Sequence, residues 1–262
     1  MPSFSETQII KLKDKNWFDR QKIAGQCVAT CLKTSKEIIE SHKPAISLKY
    51  IEAVCLEIIK SMNCSPTFLG YKGFPGAICA SVNTQLVHGI PTDYVLQDGD
   101  VVKIDLGATY QGAIGDAAIT AIYGAPKHPE HPKLIQACKL ALDNAIKMVA
   151  VGKRLGVIGS AIHYINRSTR YGLITNYGGH GIDEDTPHAQ PFVANKAQSL
   201  SGVRLQPGMT LAIEPMMVIG EAKTRTESDG WTVVTPGIGA HFEHTIFIAE
   251  DKVHVMTDYE NL

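Results

Sequence analysis

From Asn16 to about Glu40 the apolar residues Ile23, Cys27, Val28, Cys31 and Leu32 recur every three or four positions, the spacing of an amphipathic helix. A second set, Ile51, Val54, Cys55 and Ile58, follows Pro44 and Ser47 and predicts another helix. From Ala77 the character changes: ICASVN, HGIPTD, VVKIDLGATY and the segment through Tyr123 are short strand-like runs broken by Gly, Pro and Asp, which predicts an antiparallel sheet. The order then recurs. Leu134, Cys138, Ala141, Leu142, Ala145 and Val149 share one helical face, and Ile158, Ala161, Ile162 and Ile165 share another. Strands return in MTLAIEPMMVI, WTVVT and HFEHTIFIAE, the last two joined by the glycine-rich PGIGA. Two helices followed by strands, twice over, predict an α+β fold with internal pseudo-symmetry rather than a doubly wound sheet. No low-complexity linker interrupts the pattern, so residues 1–262 are expected to form a single domain.

Composition narrows the function classes. Of the 262 residues 44% are hydrophobic, enough for a sizeable core. The 25 basic and 26 acidic residues nearly cancel, which removes any general attraction for nucleic acid or an anionic membrane. The chain has no leader-like apolar segment at its start and no apolar run long enough to span a bilayer. Its six cysteines form no CxxC pair, and several fall on apolar helical positions, so they are read as core thiols. The expectation is a soluble cytoplasmic protein with neither nucleic-acid nor membrane partner.

The chemistry lies in the carboxylates. In VVKIDLG, Val102, Ile104 and Leu106 alternate onto one face and leave Lys103 and Asp105 on the other. Asp116 lies eleven positions beyond Asp105, and a hairpin looping at Tyr110 and Gln111 makes the two direct cross-strand partners. Like charges so placed repel, the more so as water is excluded. Glu214 in MTLAIEPMM and Glu243 in HFEHTIF stand in similar apolar surroundings. Any one of the four alone reads as a solvated or salt-bridged side chain. Together they exceed what nearby bases such as Lys103 can neutralise, whereas divalent cations do so compactly. His180 in GGHGIDEDTPH stands between glycines that let the backbone approach a ligand, and adds one imidazole. Such a hard, oxygen-rich set suits Mn, Fe, Co or Zn and lacks the thiolates of a structural zinc cluster. Two ions a few ångströms apart form the hydrolytic arrangement that cleaves peptide and phosphate bonds.

In order along the chain, NTQLVHGIP, KIDLGATYQGAIGD, GGHGI, PGMTLAIEPM and HFEHTIF resemble the motifs of the type I methionine aminopeptidases, and the likeness runs over nearly the whole chain. The resemblance implies the pita-bread fold, a pseudo-twofold antiparallel curved sheet with helices on its outer face. It implies removal of an initiator methionine that precedes a small second residue. The implied cofactors are two divalent metal ions (Co, Mn, Fe or Zn), held by Asp105, Asp116, His180, Glu214 and Glu243, with Glu214 also carrying a proton. His88, in VHGIP, matches the histidine that contacts the substrate and stabilises the tetrahedral intermediate. Tyr71, Phe74 and Cys79 in GYKGFPGAIC and Trp231 in DGWTV match the methionine pocket, although each by itself reads as ordinary core.

One motif departs from the resemblance, which places a second histidine seven residues after the first, whereas His188 lies eight after His180. Aligning His188 with that catalytic, substrate-binding histidine assumes one inserted residue; otherwise it is an exposed bystander. The implied partners are the N-termini of nascent polypeptides near the ribosome, and the implied state is a monomer. Xaa-Pro aminopeptidases and prolidases share such a site but resemble this chain only in their C-terminal portion. A non-catalytic binding protein on the same fold is disfavoured because all five ligand positions are filled. Met1 followed by Pro2 fits the implied preference for small second residues, so the chain is expected to process itself.

Overall fold

Asp14 accepts a hydrogen bond from the Trp17 N–H at 2.8 Å and starts helix α1, Lys15–Glu40; Ser47 does the same for α2, Leu48–Ser61, through the Tyr50 N–H at 3.1 Å. The structure, a computed structural model, describes residues 10–262. Met1 and Pro2, the expected site of self-processing, lie outside the described residues. After α2 come short strands β1 (Ser65–Pro66), β2 (Cys79–Val82) and β3 (Gln85–Val87), then the long pair β4 (Asp100–Tyr110) and β5 (Ala113–Tyr123). Helices α3 (Glu130–Met148) and α4 (Gly156–Arg167) follow, then β6 (Gly172–Leu173), β7 (Gly178–Asp183), β8 (Thr186–Ala194), β9 (Thr210–Ile213) and β10 (Met216–Val218). The last strands are β11 (Arg225–Thr226), β12 (Val233–Val234), β13 (Gly239–His241), β14 (His244–Ile248) and β15 (Val253–Val255). The order read from periodicity, two helices then strands in each half, is thus the observed one.

All named pairings are antiparallel: β4 takes β5 along one edge and β1 and β2 along the other, and β7 lies between β8 and β9, with β14 and β15 beyond β9. The order β13-β10-β6 and the order β11-β12-β3 make two smaller sheets. Reciprocal backbone hydrogen bonds between Ala118 and Glu243 (3.3 and 3.0 Å) join β5 to the link between β13 and β14. Helix α1 packs on β4 and β5, α3 on β10 and β13, and α4 on β8. One continuous core includes Leu32, Ile104, Leu142, Ile162 and Ile213, all fully buried, each contributing roughly 1.5–3 kcal/mol of transfer free energy. Gln21 of α1 is buried too, and its amide donates to the Ile114 carbonyl and the Thr210 hydroxyl, so one side chain ties the helix to both halves of the molecule.

The structure corrects four details of the sequence reading. The register pairs Tyr110 with Ala113, which puts the loop at Gln111 and Gly112. Both have positive φ, 47° and 82°, the geometry of the tight hairpin turn that matches strand twist, and Gly112 adopts it without strain. Asp105 therefore faces Ala118 and Asp116 faces Gly107, leaving the aspartates diagonal neighbours on the same face of the hairpin. Second, β4 is buried on both sides, so its alternation separates two interiors rather than core from water. Lys103 is 1% exposed and donates from Nζ to the carbonyls of Asn83 (2.7 Å) and Gly239 (3.4 Å), while burial pulls its pKa down to about 7. Third, MTLAIEPMMVI and HFEHTIFIAE are each broken, at Glu214–Pro215 and at Phe242–Glu243, so both glutamates sit at breaks between named strands, Glu243 keeping only its bridge to Ala118. Fourth, the glycines beside His180 serve strand packing, since His180 lies within β7. A Cβ at Gly179 or Gly181 would come within 2.1 Å of the Ala212 carbonyl oxygen or 1.9 Å of that of Gln190, so these glycines admit neighbouring strands rather than a ligand.

Candidate metal centre and pocket

The residue before Asp116 fixes which way it points. A Cβ on Gly115 would lie 2.8 Å from the Gly25 backbone, so that side of β5 faces α1 and Asp116 faces away from the helix. Its backbone is pinned: the Asp116 N–H donates to the Thr245 hydroxyl (2.9 Å), which in turn donates to the Asp116 carbonyl (2.7 Å). Asp105 joins it from β4, Glu214 from the break after β9, Glu243 from the break after β13, and His180 from the middle of β7. His180 Nδ1 lies 3.1 Å from the Gly181 carbonyl. With the proton there, Nε2 turns a lone pair toward the carboxylates. It stands 3.9 Å from Asp116 Oδ2 and 3.8 Å from both Glu214 Oε1 and Glu243 Oε1. Those gaps are too long for hydrogen bonds and short enough for one cation to touch both ends.

The remaining electrostatics fit a cation as well. Asp105 Oδ1, Asp116 Oδ1 and Glu243 Oε1 are buried without a hydrogen-bond partner, an expensive state for a carboxylate unless a charge compensates it. Burial first, and then the neighbouring acids, push Asp105 and Glu243 well above the usual carboxylate range; Asp116 rises to about 6, burial outweighing the opposing pull of His180. Glu214 goes the other way, because the imidazoles of His241, His180 and His88 outweigh its burial. Within the site two donor trios converge, Asp116 with His180 and Glu243, and Glu214 with His241 and Glu243, the ligand atoms of each lying within 4.8 Å of one another.

His241 escaped the sequence reading. It is 1% exposed, with Nε2 3.3 Å from Glu214 Oε2. The signal was present in HFEHTIF, since residues two apart in an extended segment share a face and Glu243 was already singled out. His88 occupies the left-handed region at φ 57°, unusual for a residue with a side chain, and burial holds its pKa down to about 4, so it is neutral. The His188 ring sits 4.4 Å from that of His180, with Nδ1 3.4 Å from the Tyr71 hydroxyl. The β7–β8 register shifts on either side of Gly181, and Asp183 at the hairpin tip is held by Lys11 and Lys13. His188 is accordingly turned into the site rather than left exposed.

A cavity of about 300 Å³ opens onto these groups. Phe68, Phe74 and Cys79 form a buried cluster with Ile90 and Trp231 packed against it, Phe74 meeting Trp231 edge-on at 5.1 Å. Tyr71 stands on the His188 side. Cys79 is the cross-strand partner of Asp105, so the apolar cluster directly adjoins the carboxylates. Burial, reinforced by Asp105, keeps its thiol protonated. Phe68 and Ile90 carried no signal in the sequence beyond ordinary hydrophobicity.

Comparison with known proteins gives a consistent picture. The model of Metallopeptidase family M24 matches residues 19–250. A methionine aminopeptidase from Mycoplasma capricolum subsp. capricolum is 40% identical over 254 residues, covering 96% of this chain and 100% of that one. One from Aquifex aeolicus is 38% identical over 260 residues, covering 95% and 99%. The crystal structure of methionine aminopeptidase from Thermotoga maritima matches with a TM-score of 0.90 at 38% identity, covering 95% of this chain and 99% of that one. Prolidase from Pyrococcus furiosus has a TM-score of 0.75 at 20% identity, a likeness of fold alone.

Proposed function

This chain belongs to the methionine aminopeptidases of metallopeptidase family M24, and from that premise we propose that it releases the N-terminal methionine of polypeptides whose second residue is small. The fold is the pita-bread arrangement of two pseudo-equivalent halves. The observation that carries the reading is the set of buried carboxylate oxygens without partners around His180 Nε2, beside an apolar cavity lined by Phe74 and Cys79.

Asp105, Asp116, His180, Glu214 and Glu243 are suited to hold two divalent ions, drawn from Co, Mn, Fe and Zn. Such ions, when bound, act as Lewis acids and make water nucleophilic near neutral pH. Glu214, kept ionised by its imidazole neighbours, takes the proton of the attacking water and delivers it to the departing amine. His88, neutral at working pH, donates its ring N–H to the oxygen that becomes negative as the peptide carbonyl turns tetrahedral. His188, also neutral because burial holds its pKa well below the usual value, contacts the substrate beyond the scissile bond. Tyr71, Phe74, Cys79 and Trp231 receive the methionine side chain, whose thioether offers dispersion and weak sulfur–aromatic contacts. The chain acts as one catalytic domain over residues 1–262, as a monomer in the cytoplasm, on nascent chains near the ribosome. Among the described residues no helix is long and apolar enough to cross a membrane.

Release of methionine from Met-Ala-Ser by protein supplied with Mn or Co tests the assignment. Wild type is expected to turn over, and Asp105→Asn to lose about 10²- to 10³-fold, the scale of removing one preorganised electrostatic partner. Silence from wild type, or undiminished turnover by the variant, removes the proposal.

A further inference from the structure

The reaction as so far described gives His241 no role beyond its place among the imidazoles around Glu214. It is 1% exposed, and neither ring nitrogen makes a hydrogen bond. Glu214 Oε2 lies 3.3 Å from Nε2 but does not form a hydrogen bond with it. The backbone leaves it little choice of position: the His241 N–H donates to the Thr120 hydroxyl (3.0 Å), and that hydroxyl donates to the His241 carbonyl (2.7 Å), so β5 clamps it from both sides. A buried imidazole aimed into a nest of carboxylates with both nitrogens unsatisfied is costly unless it meets something the protein chain does not supply.

Glu214 shows what that is. Its two oxygens divide between the imidazoles, Oε1 at 3.8 Å from His180 Nε2 and Oε2 at 3.3 Å from His241 Nε2. Glu243 belongs to both converging trios, one completed by Asp116 and His180, the other by Glu214 and His241. The centre therefore offers two cation positions that share a glutamate, each with one imidazole. Building on the metal-centre reading above, we propose that His241 is a metal ligand through Nε2, so that this chain holds its pair of ions with two histidines, His180 and His241, rather than with His180 alone. Nitrogen at both positions shifts the preference toward ions that favour imidazole, Zn, Co and Fe, and away from Mg and Mn at the second position.

Cobalt(II) loading tests this without reference to turnover. A histidine bound to Co(II) through Nε2 carries a solvent-exchangeable Nδ1 proton whose NMR signal is displaced far from the diamagnetic range. Protein with two equivalents of Co(II) is expected to show two such signals, both lost in D₂O. The His241→Gln variant, whose amide keeps a polar group beside Glu214, is expected to show one, and in calorimetric titration to bind its second Co(II) at least about tenfold more weakly, the lower end of what disturbing the surroundings of a metal ligand costs. A single signal in wild type overturns the assignment, and this holds even if the variant does not fold. Unchanged second-ion affinity in His241→Gln overturns it as well and leaves His241 only an electrostatic neighbour of Glu214. If wild type binds no Co(II) at all, the metal centre itself falls, and this inference with it.

Discussion

Single side chains in this protein are set by burial more than by neighbours in sequence. Phe74 and Trp231 are far apart along the chain yet meet edge-on at 5.1 Å, and together they wall the apolar end of the cavity. Truncating Phe74→Ala removes contact area worth roughly 1.5–3 kcal/mol to a methionine side chain, so kcat/KM for Met-Ala-Ser is expected to fall about 10- to 100-fold in steady-state assays. His244 illustrates the same control over charge. It is buried, with Nδ1 2.9 Å from the Thr257 hydroxyl, and burial holds its pKa down to about 4. Between about pH 6.5 and 4 the folded chain thus binds fewer protons at His244 than the unfolded chain does, so its stabilisation is complete above that window and is lost as pH falls through it, about 3 kcal/mol in all. Urea unfolding at pH 7 and at 4.5 checks this: His244→Asn is expected to show a visibly smaller drop than wild type.

Elements are placed by what they lack as much as by what they carry. Helix α1 reaches β5 because Gly25 and Gly115 bring the two backbones together; a Cβ on Gly25 would stand 2.1 Å from the Met256 carbonyl oxygen. Nothing flexible can yield there, and Gly25→Ala is expected to cost roughly 1–3 kcal/mol or more, read as a lower urea midpoint. The β4–β5 turn invites the opposite change. Both Gln111 and Gly112 are left-handed, and Asn tolerates that conformation better than Gln, so Gln111→Asn is expected to stabilise the fold by up to about 1 kcal/mol, read as a higher urea midpoint. A lowered midpoint would contradict the turn geometry.

At the scale of the whole molecule, strands from both halves bring acidic groups into one interior point. With no ion between them, Asp116 holds its proton up to about pH 6, and Asp105 and Glu243 are also pushed well above the usual carboxylate range, burial being the main cause. Acids that bind protons more tightly when folded lend stability that is present below their unfolded value near 4 and lost as pH rises through 6 and beyond. A divalent ion should therefore add more at pH 7.5 than at pH 5, where protons compete for the same oxygens; at 100 times its Kd it contributes about 2.7 kcal/mol. Melting temperatures of metal-free and Mn-loaded protein at the two pH values measure the difference. Equal increments at both would argue against carboxylate ligation.

The sequence alone determined the succession of helices and strands and the shared face of Asp105 and Asp116, since spacings of 3.6 and 2 are local properties of the backbone, and its acids, His180 and motif likeness supplied five candidate ligands. Parity survived even the misplaced hairpin loop: shifting the turn by one residue moves each partner by two, so Asp105 and Asp116 kept a common face. Motif likeness located His188, but only the packing of β7 on β8 decided that its ring turns toward His180 rather than to solvent. Convergence itself was beyond reach of any local pattern. His241 beside Glu214, Cys79 opposite Asp105 and Gly25 against Gly115 are contacts between distant segments, and such meetings are decided by which faces bury each other when the two halves close.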